Sequence, residues 1–180
     1  MKLTEEIKQK IIDEYNNFLE NQYGNNTMGD RKKNGQFFTP PEITITMIEM
    51  IDRESLADAK ILDPTCGAGN LLVACILAGA RIENCCGNEL DVGIAKICRK
   101  RIRNLRDKLY EENPNDYRVL SSQTGKKVCD DTLEYRIHVG DATKPECLMS
   151  FNKGYVREIQ KKYIDAFKES KENLKKINLF

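Results

Sequence analysis

The sequence has no charge excess of either sign: 29 Lys and Arg stand against 28 Asp and Glu, a formal net charge of +1. No global field demands a polyanionic partner, although a local basic face is compatible with this balance. Long apolar runs are missing too, because the run from Leu71 to Ala80 falls short of the about 20 residues that a bilayer-spanning helix needs. The seven cysteines include no Cys-x-x-Cys pair, and their spacing fits no zinc site. An odd count without a signal peptide points to reduced thiols, most of them buried as small hydrophobes, in a soluble cytoplasmic protein without a membrane segment. No internal repeat and no shift of composition divides the 180 residues, so a single core is expected. The lone histidine, His138, sits inside an apolar alternation and reads as a packed residue rather than a catalyst.

What is present is an alternation of helix and strand patterns. Thr4 can cap a first helix, with Glu5 and Glu6 in its first turn and Ile7, Ile11, Tyr15, Phe18 and Leu19 on one face. Residues 25–35 are polar and glycine-bearing and read as a loop. Thr39-Pro40-Pro41-Glu42 combines a cap, an early proline and a glutamate three residues after the cap, and predicts a helix through Met47, Ile48 and Ile51. Ile61-Leu62 reads as a short buried strand, and Ile82 to Asn88 as a second strand ending at Glu89-Leu90-Asp91. Asp91 can cap a helix with Ile94, Ala95, Cys98, Ile102, Leu105 and Leu109 at helical spacing. Its basic residues Lys96, Arg99, Lys100, Arg101, Arg103, Arg106 and Lys108 read as a solvated side rather than a phosphate-binding surface. Asn113 to Asp131 reads as an exposed connection, and Tyr135 to Val139 as a third strand stopping at Gly140-Asp141. Tyr155 to Ile177 places Val156, Ile159, Tyr163, Phe167, Leu174 and Ile177 on one helical side.

The most informative stretch is Asp63-Pro64-Thr65-Cys66-Gly67-Ala68-Gly69-Asn70, between the first strand and the apolar helix. Gly67 and Gly69 allow close backbone approach and positive φ, so the turn can line a ligand pocket. Asp63, Glu89 and Asp141 each follow a strand. In an open parallel sheet, ligands bind beyond those carboxyl ends. An acidic residue after the second strand can accept hydrogen bonds from two ribose hydroxyls, and the third carboxylate can accept from an exocyclic amine.

Asp63 to Asn70 resembles motif I of S-adenosylmethionine-dependent methyltransferases that act on adenine N6 in DNA. Gly35-Gln36-Phe37-Phe38-Thr39-Pro40 is similar to that family's motif X, Gly87-Asn88-Glu89-Leu90-Asp91 to motif II, and Gly140-Asp141-Ala142 to motif III, in matching order. The methylase subunits of restriction-modification systems carry this set. The resemblance implies a partial Rossmann-like α/β methyltransferase fold with N-terminal helices and a C-terminal amphipathic helix. It divides the chain into a helix and loop at 1–34, a cofactor-binding core at 35–150 and a C-terminal helix at 151–180. It also implies a cofactor-binding set of Phe38, Thr39, Asp63, Cys66, Gly67, Gly69, Glu89, Leu90, Asp141 and Ala142. Thr39 and Asp63 would meet the methionine group, Gly67 and Gly69 would line the cofactor, and Glu89 would hold the ribose. Leu90 would pack on the adenine, with Asp141 and Ala142 at its polar edge. Thr39 doubles as the expected helix cap. No metal site is implied.

That family also carries an Asn/Asp-Pro-Pro-Tyr/Phe tetrapeptide, which holds the flipped adenine. This sequence has no such tetrapeptide; Asn152-Lys153-Gly154-Tyr155 keeps the outer residues but neither proline. No catalytic residue is therefore assigned. A sheet ending after three strands would leave Ile61-Leu62 on an open edge, to be covered by the last helix, by a protein partner or second copy, or by the rest of a longer product. The expected function is binding of S-adenosylmethionine as the cofactor half of an adenine-N6 methyltransferase, with DNA reached directly or through a partner chain. The alternative is a non-catalytic regulatory or restriction-related binding protein that retains the pocket.

Overall fold

The computed structural model describes residues 2–21, 38–51 and 56–144. The chain divides after Gly140 into two units, Met1–Gly140 and Asp141–Phe180. The loop at residues 25–35, Gly35-Gln36-Phe37, Cys147, Asn152-Lys153-Gly154-Tyr155 and the helix expected from Tyr155 to Ile177 lie outside the described residues.

The first unit is a mixed α/β assembly whose small sheet is entirely parallel. Its elements are α1 (Glu5–Asn21), α2 (Pro41–Glu49), β1 (Ile61–Asp63), α3 (Asn70–Leu77), a 3-10 turn (Ile82–Asn84), β2 (Cys85–Glu89), α4 (Val92–Glu112), α5 (Asp130–Arg136) and β3 (Ile137–Val139). The strands lie in the order β1-β2-β3. Parallel neighbours cannot be joined by a hairpin; α3 makes the first crossover, and α4 with α5 the second. The register pairs Asp63 with Gly87 and Glu89 with Val139. β2 is flanked on both sides and buries its first four residues, as a central parallel strand must. β1 is an edge strand among the described residues and is only half-buried.

The helices follow from their caps and faces. In α1 the Thr4 hydroxyl accepts the Ile7 N–H at 3.3 Å, and Ile11 and Phe18 are buried. The Asp91 carboxylate accepts from the Ile94 N–H at 2.9 Å and caps α4. Thr39 is not the cap of α2: that position is Pro40, with Pro41 opening the helix and the Thr44 N–H bonded to the Pro40 carbonyl at 3.0 Å. A proline lacks the N–H that a first turn leaves unused, so the paired prolines move the start by one residue. α2 ends at Glu49, short of Ile51. α3 buries six of its eight residues, Leu72 to Leu77, and packs against α1 and α2. Full burial of each such Leu, Ile or Val side chain contributes about 1.5–3 kcal/mol.

Three further expectations need correction. Tyr135 and Arg136 end α5 rather than start β3. Two aspartates in the first turn and buried Leu133 favour the helix, and three alternating residues carry too little pattern to outweigh them. The connection from Asn113 to Asp131 is not simply exposed: Val119 and Val128 are buried, and Leu120 bridges Lys127. The basic stretch of α4 is not all solvated, since Arg101 and Arg106 are each only 4% exposed. Arg106 donates to the Val128 carbonyl at 2.8 Å and pairs with Asp130 at 2.7 Å. Arg99 reaches the Ile137 carbonyl at 3.1 Å. Their long stems lie along apolar surface while their heads find carbonyls.

Candidate functional site

The glycine turn is built from its backbone outward. Gly67 has φ +53° and Gly69 φ +84°, conformations that a Cβ disfavours. Gly69 precedes α3, and a Cβ there would lie 2.6 Å from the Cys98 Sγ of α4. The turn closes through the Gly69 N–H and the Cys66 carbonyl at 2.8 Å, and it is anchored to β2 by the Cys66 N–H and the Asn88 carbonyl at 2.8 Å. Gly87 admits this approach, because a Cβ on it would stand 2.7 Å from the Cys66 Sγ and 3.0 Å from Leu72.

Side chains then tie the strand ends together. The Glu89 carboxylate accepts the Gly67 N–H at 2.9 Å and the Asp91 N–H at 2.8 Å. The buried Asn88 amide donates to the Pro64 carbonyl at 3.2 Å and the Gly140 carbonyl at 2.9 Å, bracing the ends of β1 and β3. Asp63 accepts the Thr65 N–H at 3.1 Å, and among the described residues no cation pairs with it. Asn70 donates to the Thr39 carbonyl at 3.1 Å. Phe38 meets Phe18 edge-on with ring centroids 5.1 Å apart.

A cleft of about 190 Å³ opens over this turn, lined by Phe38, Thr39, Met47, Asp63, Thr65, Cys66, Gly67, Asn70 and Leu71. Five of the ten expected site residues thus line one cavity: Phe38, Thr39, Asp63, Cys66 and Gly67. Glu89 and Gly69 support it from behind without lining it. Leu90 is 70% exposed beside them in sequence. Asp141 and Ala142 belong to the second unit. There the Asp141 carboxylate accepts from the Thr143 N–H at 2.9 Å and hydroxyl at 2.7 Å, and these bonds hold its pKa below the ordinary carboxylate range. A larger cavity, about 310 Å³, lies along α1 and α4. Two rim pairs there, Lys10 with Glu6 at 2.8 Å and Lys108 with Glu14 at 3.9 Å, already satisfy each other.

Arg101, Asn88 and Asn70 were missed as supports of the site. Arg101 stands three residues after Cys98 and four before Leu105, so its helical phase already placed it on the buried side. Asn88 is a polar residue in a central strand, which must find partners when buried. Burial pushes the Asp63 pKa up, the Thr65 N–H opposes this, and nearby Glu89 adds to it. His138 is held below the ordinary imidazole range by burial and by Arg99, as befits a packed residue.

Cys66, Cys75, Cys85, Cys86 and Cys98 are buried free thiols, as expected for small hydrophobes. A hydrogen bond with Cys98 and then burial push the Cys66 thiol up, and burial raises Cys75 to about 12. Cys129 is exposed, and its pKa is lowered, first by its bond to the Thr132 hydroxyl. Only the thiolate reacts. In native protein treated with iodoacetamide, mass spectrometry is expected to find Cys129 alkylated while those five thiols stay unmodified until denaturant is added. Among the described residues, no group of His, Cys, Asp or Glu could hold a metal ion, and no helix is long and apolar enough to cross a membrane.

A family model described as N-6 DNA methylase matches residues 2–94, over half of the chain and all of the cleft. The type II methyltransferase M.VspI of Vibrio sp. (strain 343) is 29% identical over 75 residues, which are 42% of this chain and 18% of that protein. The chain therefore spans under a fifth of the length of that relative. No solved structure matches the chain significantly.

Proposed function

We propose a methyl-donor-binding role from one premise: this chain belongs to the N-6 DNA methylase family. That family acts on DNA and generally uses S-adenosylmethionine, and the cleft over the glycine turn is the proposed site for that ligand. The observation that carries the reading is Asp63. Its carboxylate is half-buried in the cleft, receives one N–H and has no cationic partner among the described residues. An ammonium group on a ligand would favour the charged form that burial disfavours, and the methionyl end of the cofactor carries one.

The dimensions fit one end of the ligand. At about 190 Å³ the cleft is smaller than the roughly 300–1,000 Å³ of pockets that enclose a whole small molecule. Thr39 and Asp63 would hold the methionine group, with Phe38, Cys66 and Gly67 beside them in the lining and Gly69 holding the turn behind it. Glu89 has accepted two N–H bonds, and a carboxylate has about four acceptor sites, so capacity remains for ribose hydroxyls. Exposed Leu90 offers apolar surface to an adenine ring. When bound, the cofactor supplies a methyl group on a positively charged sulfur. The work left to this chain is to bind, orient and shield it.

Methyl transfer itself is assigned to this chain together with a partner. The sequence holds no Asn/Asp-Pro-Pro-Tyr/Phe segment, and a flipped base needs groups that receive its Watson–Crick edge. A second reading is a non-catalytic regulatory or restriction-related protein with a retained pocket. Calorimetric titration with S-adenosylmethionine is expected to show saturable binding to the chain alone, and no heat would overturn both readings. A methyl-transfer assay on adenine-containing DNA then separates them. Activity that arises only with a partner chain selects the split enzyme, and inactivity with every partner that binds selects the regulator.

A further inference from the structure

We propose that Arg101 is the positioning residue of the glycine turn: from inside α4 it fixes the Ala68 carbonyl and Asn70, and through Asn70 the Thr39 carbonyl, so that the two chain segments lining the cleft hold one geometry. Its ligand consequence rests on the reading of the cleft as the S-adenosylmethionine site; its structural consequence does not.

Arg101 is buried at 4% exposure, and no carboxylate pairs with it among the described residues. Its charge is directed instead at the turn, through one nitrogen that donates to the Ala68 carbonyl at 2.8 Å and to the Asn70 Oδ1 at 2.5 Å. A guanidinium only donates, so Asn70 must present its oxygen to Arg101. Its amide nitrogen then faces the Thr39 carbonyl, 3.1 Å away. A second route runs through rings: the guanidinium carbon lies 4.3 Å from the Phe18 ring centroid, within cation–π range, and Phe18 packs edge-on against Phe38. Phe38, Thr39, Gly67 and Asn70 all line the cleft. α1, which carries Phe18, is thereby part of the support of the site.

Arg106 is the natural control. It lies on the same helix with the same 4% exposure, but its bonds go to Val128, Asp130 and neighbouring Asp107, not to the turn. We compare Arg101→Met, Arg101→Lys and Arg106→Met with the unaltered chain, at a temperature where each is folded. In ligand-free protein, amide hydrogen exchange at residues 67–70 is expected to accelerate about tenfold or more in Arg101→Met. Arg106→Met, with a similar loss of thermal stability, is expected to stay within about twofold there. Arg101→Lys keeps the charge but loses the planar fork; it moves in the same direction by less, and it serves alone if Arg101→Met does not fold. Affinity for S-adenosylmethionine is expected to follow the exchange, falling about tenfold or more in Arg101→Met and little in Arg106→Met. Turn exchange that is equal in the Arg101 and Arg106 variants overturns the proposal. If the unaltered chain binds no S-adenosylmethionine while the Arg101 variants still loosen the turn, the ligand reading falls and the positioning role stands.

Discussion

Gly69→Ala is expected to lower the unfolding free energy by about 2–5 kcal/mol. Two costs add. A φ of +84° imposes about 1–2 kcal/mol on a residue with a Cβ. The new methyl would also lie 2.6 Å from the Cys98 Sγ and 3.6 Å from its Cβ, and overpacking of this kind costs about 1–3 kcal/mol. Natural domains hold only about 5–15 kcal/mol in all, so the midpoint in urea should fall sharply at unchanged slope. The two costs separate in a double-mutant cycle: Cys98→Ala in the Gly69→Ala background should recover the packing part and leave the backbone part. A loss below about 0.5 kcal/mol would mean that the turn relaxes into another conformation.

Asp63→Asn is expected to act in opposite directions on binding and on stability. Binding of S-adenosylmethionine should weaken about a hundredfold, because removing one partner of a desolvated charge pair costs about 2–5 kcal/mol. The ligand-free protein should become more stable at neutral pH. Burial raises the folded-state pKa of Asp63 above the unfolded value of about 3.9. Between those two values the folded state binds more protons than the unfolded state, so this group's contribution to stability falls as pH rises and is fully unfavourable above the folded pKa. The amide introduced by Asp63→Asn does not titrate and has no such slope. The stability difference between variant and wild type, from denaturant melts at several pH values, should therefore be smallest in acid and grow to a plateau toward neutrality. A variant that binds the cofactor as well as the wild type would remove Asp63 from the proposed contacts, and one less stable at neutral pH would show that its bond to Thr65 outweighs its burial.

These two residues were legible in advance for different reasons. Gly69 was picked out as a turn residue next to an apolar helix, and its positive φ agrees. The sulfur that makes it irreplaceable comes from Cys98, 29 positions away on another helix. Asp63 stood out as the polar end of an apolar strand. Its raised pKa comes from the cleft around it. The face of α4 was equally readable, since Ile94, Ala95, Cys98, Ile102, Leu105 and Leu109 are all buried. The reading failed where charge was taken as a sign of exposure: Arg101 and Arg106 share the buried phase of that helix and find carbonyls at the end of long stems. It also failed at Tyr135 and Arg136, where a five-residue alternation mimicked a strand that is only three residues long.

By itself the sequence determined the order of the three strands and of α1 to α4, though not α5, together with the glycine turn, the acidic residues at the strand ends and the likeness to adenine-N6 methyltransferases. All of these rest on local spacing and on residue types within a few positions of one another, which the backbone reads directly. Only the tertiary structure decided that Phe38 and Thr39 share a cleft with Asp63, Cys66 and Gly67. It alone spread the Glu89 carboxylate across the glycine turn and the start of α4 and sent Arg101 inward to hold Asn70. The bonds from Gly67 to Glu89 and from Asn70 to Thr39 and Arg101 join residues 22 to 31 positions apart, and their geometry depends on how separate elements pack, which no periodicity in the chain records.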